Sequence, residues 1–490
     1  MVEWGVLCSH RRVVRKSRLI YDRGTLILHP PPRGKKWIEF ATWDDRIERF
    51  RIPGYCYRPL IESLQQEGIE IVDEARAYYP LQIRLFSSKT PFAHQREALA
   101  AWKRAGGKGV VVLPTGGGKT FLAHLVIAYV ATTTLIVVPT LDLMHQWYGE
   151  IKENIKGVEV GLLGGGSQDF TPILIATYHS ANIHSVTLGN SYGLLIFDEC
   201  HHLPTDFFRN IAEDSIAPYR LGLTATPERG DGNHKELERL IGDIVYRRTP
   251  KELSGKTLAE YEVVSIKVRL SDEEKQCYHQ AIKTRNEFLK KYNISLKGIE
   301  GWHLFVKVSS TSIEGRRAML AHRTAKEIAL GTEAKIRVLA ELLARHYPDK
   351  ILIFTHDNAT VYLISQRFLI PAITHQTPVK ERYEILNAYR QGLYKIVVAS
   401  HVLNEGIDVP SAKIAIILSG TGSSREYIQR LGRILRRGNH EQKLAILYEI
   451  IAENTLEEIT SARRKEGLNF SAHTPTFKAA ESTPQWRVDD

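Results

Sequence analysis

The chain has 490 residues, 43% of them hydrophobic and 25% charged, enough for two to four domains with sizeable cores. Its four cysteines, Cys8, Cys56, Cys200 and Cys277, are scattered without a Cys-x-x-Cys pair, which fits a reducing compartment and argues against a cysteine-bound zinc or iron–sulfur centre. The formal charge of +11 is concentrated: residues 1–60 hold 13 Lys and Arg against 6 acids and residues 283–326 hold 10 against 3, so each segment is +7 and the rest sums to about −3. Two basic segments on a balanced background point to a polyanion, nucleic acid above all, with solvated basic faces as the alternative. The nearest approach to a membrane span, Leu122 to Leu141, is broken by Thr132-Thr133-Thr134 and Pro139. It parses as helix plus strand, so no membrane association and no signal peptide are expected.

Residues 1–85 read as a small mixed unit. Leu26-Ile27-Leu28 and Trp37-Ile38-Glu39-Phe40 are expected as short strands around the turn Pro30-Pro31-Pro32-Arg33-Gly34, and Tyr57 to Gln66 as a helix. Trp37, Trp43, Phe50, Tyr55 and Tyr57 are interleaved with Arg46, Arg49, Arg51 and Arg58. That mixture suits stacking on distorted or single-stranded nucleic acid, and equally the core of a small α/β domain.

A helix begins near Phe92, and Gln95 stands on it 24 residues before Lys119. Its amide offers a donor and an acceptor together, which matches the adenine edge. The apolar run Val110-Val111-Val112 then leads into Leu113-Pro114-Thr115-Gly116-Gly117-Gly118-Lys119-Thr120 and on to Phe121–Ile127. That is strand, loop, helix: backbone N–H groups from Thr115 to Gly118 can wrap a phosphate, with Lys119 supplying a cation and Thr120 a magnesium ligand. The strict form of this loop begins with glycine; here Leu113 holds that position and Pro114-Thr115-Gly116 take over the turn.

Apolar strands next alternate with helical stretches, at Leu135–Val138, Ile173–Ala176, Leu194–Phe197 and Arg220–Leu223. The pattern is α/β, a parallel doubly wound sheet with functional residues at strand C-termini. Thr140, Thr177, Asp198-Glu199-Cys200-His201 and Thr224-Ala225-Thr226 follow those strands in turn. Asp198 can hold magnesium, usually through water, and Glu199 can orient and deprotonate a water attacking a γ-phosphate. His201 is read as a link between nucleotide and nucleic-acid surfaces, and Thr224 and Thr226 as small hydroxyls at a hinge between sites.

A second unit is expected from about residue 259, opening on the strand Glu262–Leu270 and a basic helical insert over 272–329. The helix Ala334–Arg345, the strands Ile351–Phe354, Ile396–Ala399 and Ile414–Leu418, and the helices Val379–Arg390 and Arg425–Leu431 repeat the first architecture without a phosphate loop. Thr355 ends one strand. Gly406 and Asp408, in Asn404–Pro410, place a turn and a carboxylate suited to a ribose or a phosphodiester. In Gln429–Arg437, Arg433 and Arg436 share a helical face, suited to charge on a transferred phosphoryl group. Residues 467–490 read as a disordered tail.

Gln95, the Gly-Lys-Thr loop, Asp198–His201, Thr224–Thr226, Gly406–Pro410 and Gln429–Arg436 together resemble the ordered motif series of superfamily 2 helicases, over residues 92–437. Within that superfamily the chain resembles the XPB-type DNA helicases. The resemblance implies two RecA-like doubly wound motor lobes, a damage-recognition domain at 1–85, lobes at 86–258 and 259–466, and a thumb-like insert. It implies ATP with Mg, 3′ to 5′ opening or translocation of DNA (forked, bubble or damaged duplex) and a nuclease partner as in archaeal relatives. Lys119, Asp198, Glu199, Gln429, Arg433 and Arg436 take the catalytic roles, and Thr140, Thr177, His201, Thr224, Thr226 and Thr355 the coupling to nucleic acid. The cytosol is the expected location, nucleoid-associated in a prokaryote, or the nucleus in a eukaryote. Where the family carries an Arg-Glu-Asp strand-separating element, this chain has Arg229-Gly230-Asp231, so Arg229 and Asp231 keep that role without the central carboxylate. An RNA-directed ATPase and an ATP-gated clamp that loads a partner share these motifs and stay open.

Overall fold

A computed structural model describes residues 16–87, 90–228, 232–255, 257–296, 298–400, 412–420, 444–465 and 477–478. The chain divides into two compact units, the first of Met1–Leu113 and Gly118–Arg248, the second of Thr249–Asp490 with the loop residues Pro114–Gly117. The division in sequence falls ten residues before the expected 258/259.

The first unit opens on a five-stranded sheet of β1 (Ser17–Asp22), β2 (Thr25–His29), β3 (Thr42–Asp44), β4 (Arg49–Pro53) and β5 (Ile71–Asp73), in the order β3-β4-β2-β1-β5. Arg23 and Gly24 turn the β1–β2 hairpin with φ of 47° and 83°, the pair of left-handed residues that matches strand twist. Helix α1 (Tyr57–Gln66) buries Leu60 and Leu64 against Leu19, Leu26, Leu28 and Ile52. The expected strand Trp37–Phe40 is instead a 3-10 turn, Lys36–Phe40. Trp37 is buried there with its indole N–H on the Gly34 carbonyl at 2.7 Å, so one large side chain plugs the core and the chain curls around it. Trp37, Phe50 and Tyr57 are thus packed in this core, whereas Trp43 is 48% exposed.

This sheet is seated on the rest of its unit. The Tyr21 hydroxyl donates to the carbonyls of Val186 and Asp214 at 2.9 and 3.0 Å, and Ile216 is buried in the small sheet's core. A Cβ at Gly54 would lie 2.6 Å from the Asp214 carbonyl, so glycine there permits the close approach.

A two-stranded pair, β6 (Arg84–Leu85) with β9 (Ile155–Lys156), flanks an eight-stranded sheet. Its strands are β7 (Lys108–Val112), β8 (Thr134–Val138), β10 (Val160–Gly164), β11 (Ser167–Gln168), β12 (Ile173–Thr177), β13 (Leu194–Asp198), β14 (Tyr219–Thr224) and β15 (Ile244–Arg247), in the order β11-β10-β12-β8-β13-β14-β7-β15. All pairings are parallel except β10 with β11. Every residue of β8, β12 and β13 is buried, as helices on both faces require, and this is why they read as unbroken apolar runs. Helices α2 (Ala93–Arg104), α3 (Lys119–Val130), α4 (Leu141–Asn154) and α5 (Tyr178–Ile183) belong to this layer.

The second unit holds a seven-stranded parallel sheet of β16 (Glu260–Val268), β17 (Ile351–Phe354), β18 (Ala372–Ile373), β19 (Ile396–Ala399), β20 (Ile414–Ile417), β21 (Leu444–Ala452) and β22 (Phe477–Lys478), in the order β18-β19-β17-β20-β21-β16-β22. Strand β22 lies in the stretch expected to be a disordered tail; it pairs through Phe477 with Ile266 and through Lys478 with Lys267. The insert is three helices, Asp272–Lys291, Gly298–Ser309 and Ile313–Gly331, joined by two small cores around Tyr278–Ala325 and Phe288–Phe305.

Beneath this sheet Lys335 is fully buried and donates to both Glu457 carboxylate oxygens, at 2.8 and 2.6 Å, and to the Leu418 carbonyl at 2.7 Å. Lys335→Met leaves that carboxylate buried without its cation and is expected to cost about 3–5 kcal/mol. Urea unfolding of the full chain measures this, with the Lys335→Met/Glu457→Gln pair recovering part of the loss.

Candidate active site

The glycine-rich loop leaves β7 at Leu113, whose side chain is fully buried, which explains an apolar residue at that position. The Leu113 N–H donates to the Thr224 carbonyl at 3.0 Å and so ties the loop's start to the end of β14. Gly116 and Gly118 take φ of 83° and 78°, conformations that favour glycine, and α3 begins at Lys119 with Thr120 in its first turn. Gln95 is buried and braces the loop. Its amide nitrogen donates to the Gly118 carbonyl at 2.9 Å and its oxygen accepts from the Phe92 N–H at 2.9 Å. A Cβ on Gly118 would press on that amide nitrogen and displace the glutamine, while the left-handed backbone is what calls for glycine there.

Lys119 Nζ lies 3.2 Å from Glu199 Oε1, across from the end of β13. Glu199 has φ of 47°, a left-handed backbone that turns the chain sharply after Asp198 and brings both carboxylates to the sheet edge. His201 Nδ1 stands 3.4 Å from Glu199 Oε2 and 3.1 Å from Thr224 Oγ1, and Thr224 Oγ1 donates to Glu199 Oε2 at 3.3 Å. The same hydroxyl accepts from the Thr226 N–H at 3.2 Å. Glu199, His201, Thr224 and Thr226 therefore form one connected group.

Asp198 is served by other donors. Trp147 on α4 donates its indole N–H to Oδ2 at 2.9 Å, the Glu199 N–H donates to Oδ1 at 3.0 Å, and the Tyr178 hydroxyl donates to the Asp198 carbonyl at 3.1 Å. Burial, and then the Glu199 charge, push the Asp198 carboxyl up to about 6. Burial opposes ionisation of Glu199 too, but Lys119 and His201 outweigh it and hold that carboxyl well below the usual range. One acid of the pair is thus a settled anion and the other is short of positive charge.

That shortage fits a magnesium ion, which Asp198 and Thr120 would hold and which would supply the missing positive charge. Among the described residues no group of three His, Cys, Asp or Glu side chains is placed to hold a metal ion.

Thr140 and Thr177 cap α4 and α5, accepting from the Leu143 and Ser180 N–H groups at 3.3 and 3.2 Å. Thr355, in the second unit, is buried and donates to the Asp357 carbonyl at 2.9 Å. Arg229, Asp231, Gly406, Asp408, Gln429, Arg433 and Arg436 lie outside the described residues. Trp147 and Tyr178 are the participants that motif spacing does not reveal. Their signal is chemical: each is a single polar atom on a large buried ring, which must find an acceptor.

Trp147→Phe removes a donor to a buried anion, a loss of about 1.5–3 kcal/mol, which raises the Asp198 carboxyl further. Because the ionised form binds the cation, activity is lost as pH falls through that value. The acid limb of kcat/KM for ATP hydrolysis is expected to move up by about one to two pH units, read from pH profiles of the two proteins.

Three family models match the chain: "Type III restriction enzyme, res subunit" over 88–229, "Xeroderma pigmentosum group B helicase damage recognition domain" over 19–75, and "Helicase conserved C-terminal domain" over 334–438. A relative from Sulfurisphaera tokodaii, "DNA 3′-5′ translocase XPB2", is 39% identical over 86% of this chain and 95% of that protein. A "DNA 3′-5′ helicase XPB" from Kineococcus radiotolerans is 32% identical over 74% of this chain and 60% of that one. In fold, the chain resembles the Hef helicase domain of Pyrococcus furiosus, with a TM-score of 0.53 at 18% identity over 77% of this chain and 98% of that one. With its phosphate loop, its Asp-Glu strand end and these relatives, the chain belongs to the XPB family of superfamily 2 helicases.

Proposed function

We propose that the protein is an ATP-driven DNA helicase or translocase of 3′ to 5′ polarity that opens or remodels duplex DNA in repair. The observation that carries this reading is Lys119 facing the Asp198-Glu199 strand end beneath a glycine-rich loop, in a chain whose relatives are named as 3′-5′ DNA motors.

The proposed roles follow from the pairing of Lys119 with Glu199. An arriving β- or γ-phosphate competes for the lysine, whose transfer to the phosphate deprives Glu199 of its main cation. The carboxylate then becomes the more basic group, released to accept a proton from the attacking water, while His201 and Thr224 keep it oriented. Asp198, held by Trp147, is the side chain for magnesium, which when bound supplies charge neutralisation to the phosphates. Gln429, Arg433 and Arg436 are proposed to stabilise charge on the γ-phosphoryl group, with Gly406 and Asp408 on the nucleotide. Gln95 contributes by bracing Gly118, and its adenine contact is proposed as an exchange of one of its two internal bonds when ATP binds. Thr140 and Thr177 are proposed to meet the DNA backbone at their strand ends, Thr355, which is buried, to act through the turn it holds at Asp357, and Arg229 and Asp231 to meet the strand junction. A nuclease partner, expected from the archaeal resemblance, is tested by co-purification.

Glu199→Gln is expected to lower DNA-stimulated ATP hydrolysis by about 10²- to 10⁴-fold while ATP binding survives. Steady-state turnover beside fluorescent-nucleotide binding checks it, and unchanged turnover removes the assignment of the base. Matched 3′- and 5′-overhang duplexes, and DNA beside RNA strands, test polarity and substrate; equal stimulation by RNA sends the reading to an RNA-directed ATPase.

A further inference from the structure

Phe207 lies in the loop that follows Asp198–His202, and its side chain is 51% exposed. It is stacked on the exposed ring of His179, with ring centres 5.6 Å apart and planes 24° from parallel. His179 in turn sits two residues beyond Thr177, at the C-terminal edge of β12. We propose that Phe207 and His179 form a stacking platform for an unpaired nucleobase of the strand on which the motor acts, a site that rests on the DNA-motor reading above.

Three observations select this occupant. Two near-parallel exposed rings present π faces, the surface on which single-stranded bases stack irrespective of sequence. Among the described residues of this loop the arginine, Arg209, lies 3.5 Å from Asp206 and 3.9 Å from Glu213, so its charge faces carboxylates, not a phosphate. The outer face of one stacked ring pair is also far below the roughly 1,000 Å² that a stable protein partner needs. Bases within a duplex already stack on one another, so the platform takes an unpaired one.

The platform is also in ring contact with the nucleotide site. Phe207 meets Phe208 edge-on at 5.2 Å, Phe208 meets the buried ring of Tyr178 at 5.4 Å, and the Tyr178 hydroxyl holds the Asp198 carbonyl. Tyr178 further contacts His202, whose ring lies 4.3 Å from that of His201 beside Glu199. A base settling on Phe207 therefore bears on rings that run to the Asp198 backbone carbonyl on one side and to the Glu199 carboxylate on the other.

The test measures the half-saturating concentration of a single-stranded oligonucleotide for ATPase stimulation, using an intact strand and one with abasic sites throughout. Phe207→Ala and Phe207→Leu are each expected to raise it roughly tenfold for the intact strand and to leave the abasic strand where the wild type has it. Phe207→Leu keeps apolar bulk and so separates loss of the π face from loss of folding. Phe207→Trp should restore the intact-strand value, with added indole fluorescence quenched by that strand. Wild-type half-saturation in Phe207→Ala, or equal weakening of intact and abasic strands, overturns the platform. A wild-type protein that no oligonucleotide stimulates overturns the motor reading and the platform with it, a result distinct from failure of the platform alone.

Discussion

Two adjacent carboxylates at the end of one strand, Asp198 buried and Glu199 nearly so, are the constraint around which the first unit is built. Transferring charge from water is costly unless partners compensate, and Asp198 and Glu199 would each destabilise the other without them. The sheet order supplies the compensation. In β13-β14-β7 the Asp-Glu strand and the phosphate-loop strand are separated by one strand, so their ends lie about 10 Å apart at the usual inter-strand spacing. A lysine and a glutamate side chain together bridge that gap, and they do so at 3.2 Å. The intervening strand contributes Thr224, whose hydroxyl reaches Glu199 and whose carbonyl receives the Leu113 N–H. Because all three strands are parallel, their ends share one edge, and a reversed strand anywhere in the trio would break the site.

The parts of this arrangement legible in the sequence are those that physics makes repetitive. Strands buried on both faces must be continuous apolar runs, so Leu135–Val138, Ile173–Ala176 and Leu194–Phe197 announce themselves, and a loop that must wrap a phosphate announces itself by glycine. Trp37–Phe40 is misread because a single indole seeking the Gly34 carbonyl outweighs the β propensity of its neighbours. Two residues of the tail stand apart from its reading as disordered for a related reason: Phe477 and Lys478 acquire strand geometry only from β16, more than two hundred residues earlier, and nothing local records that. Trp147 was invisible in the same way, since its partner Asp198 lies 51 residues further on. Gln95 shows a subtler gap: its donor–acceptor amide was evident, but that a backbone carbonyl and an N–H of the protein itself use both ends is a fact of folding.

The second unit shows how closely similar architecture can withhold a phosphate site. Its sheet is parallel and its strand β17 also passes through a short loop into a helix, Asn358–Phe368. The passage from β7 into α3 carries three glycines and a lysine, leaving backbone N–H groups and a cation for an incoming anion. In the second, Asp357 is the N-cap: its carboxylate accepts from the Thr360 N–H at 2.8 Å and from the Thr360 hydroxyl at 2.9 Å. The helix terminus has its anion built in, and a phosphate would meet both an occupied donor and a like charge. Two units of one architecture thus divide into one that can anchor a nucleotide and one that at this position cannot, and the difference rests on whether the residue entering the helix brings its own negative charge.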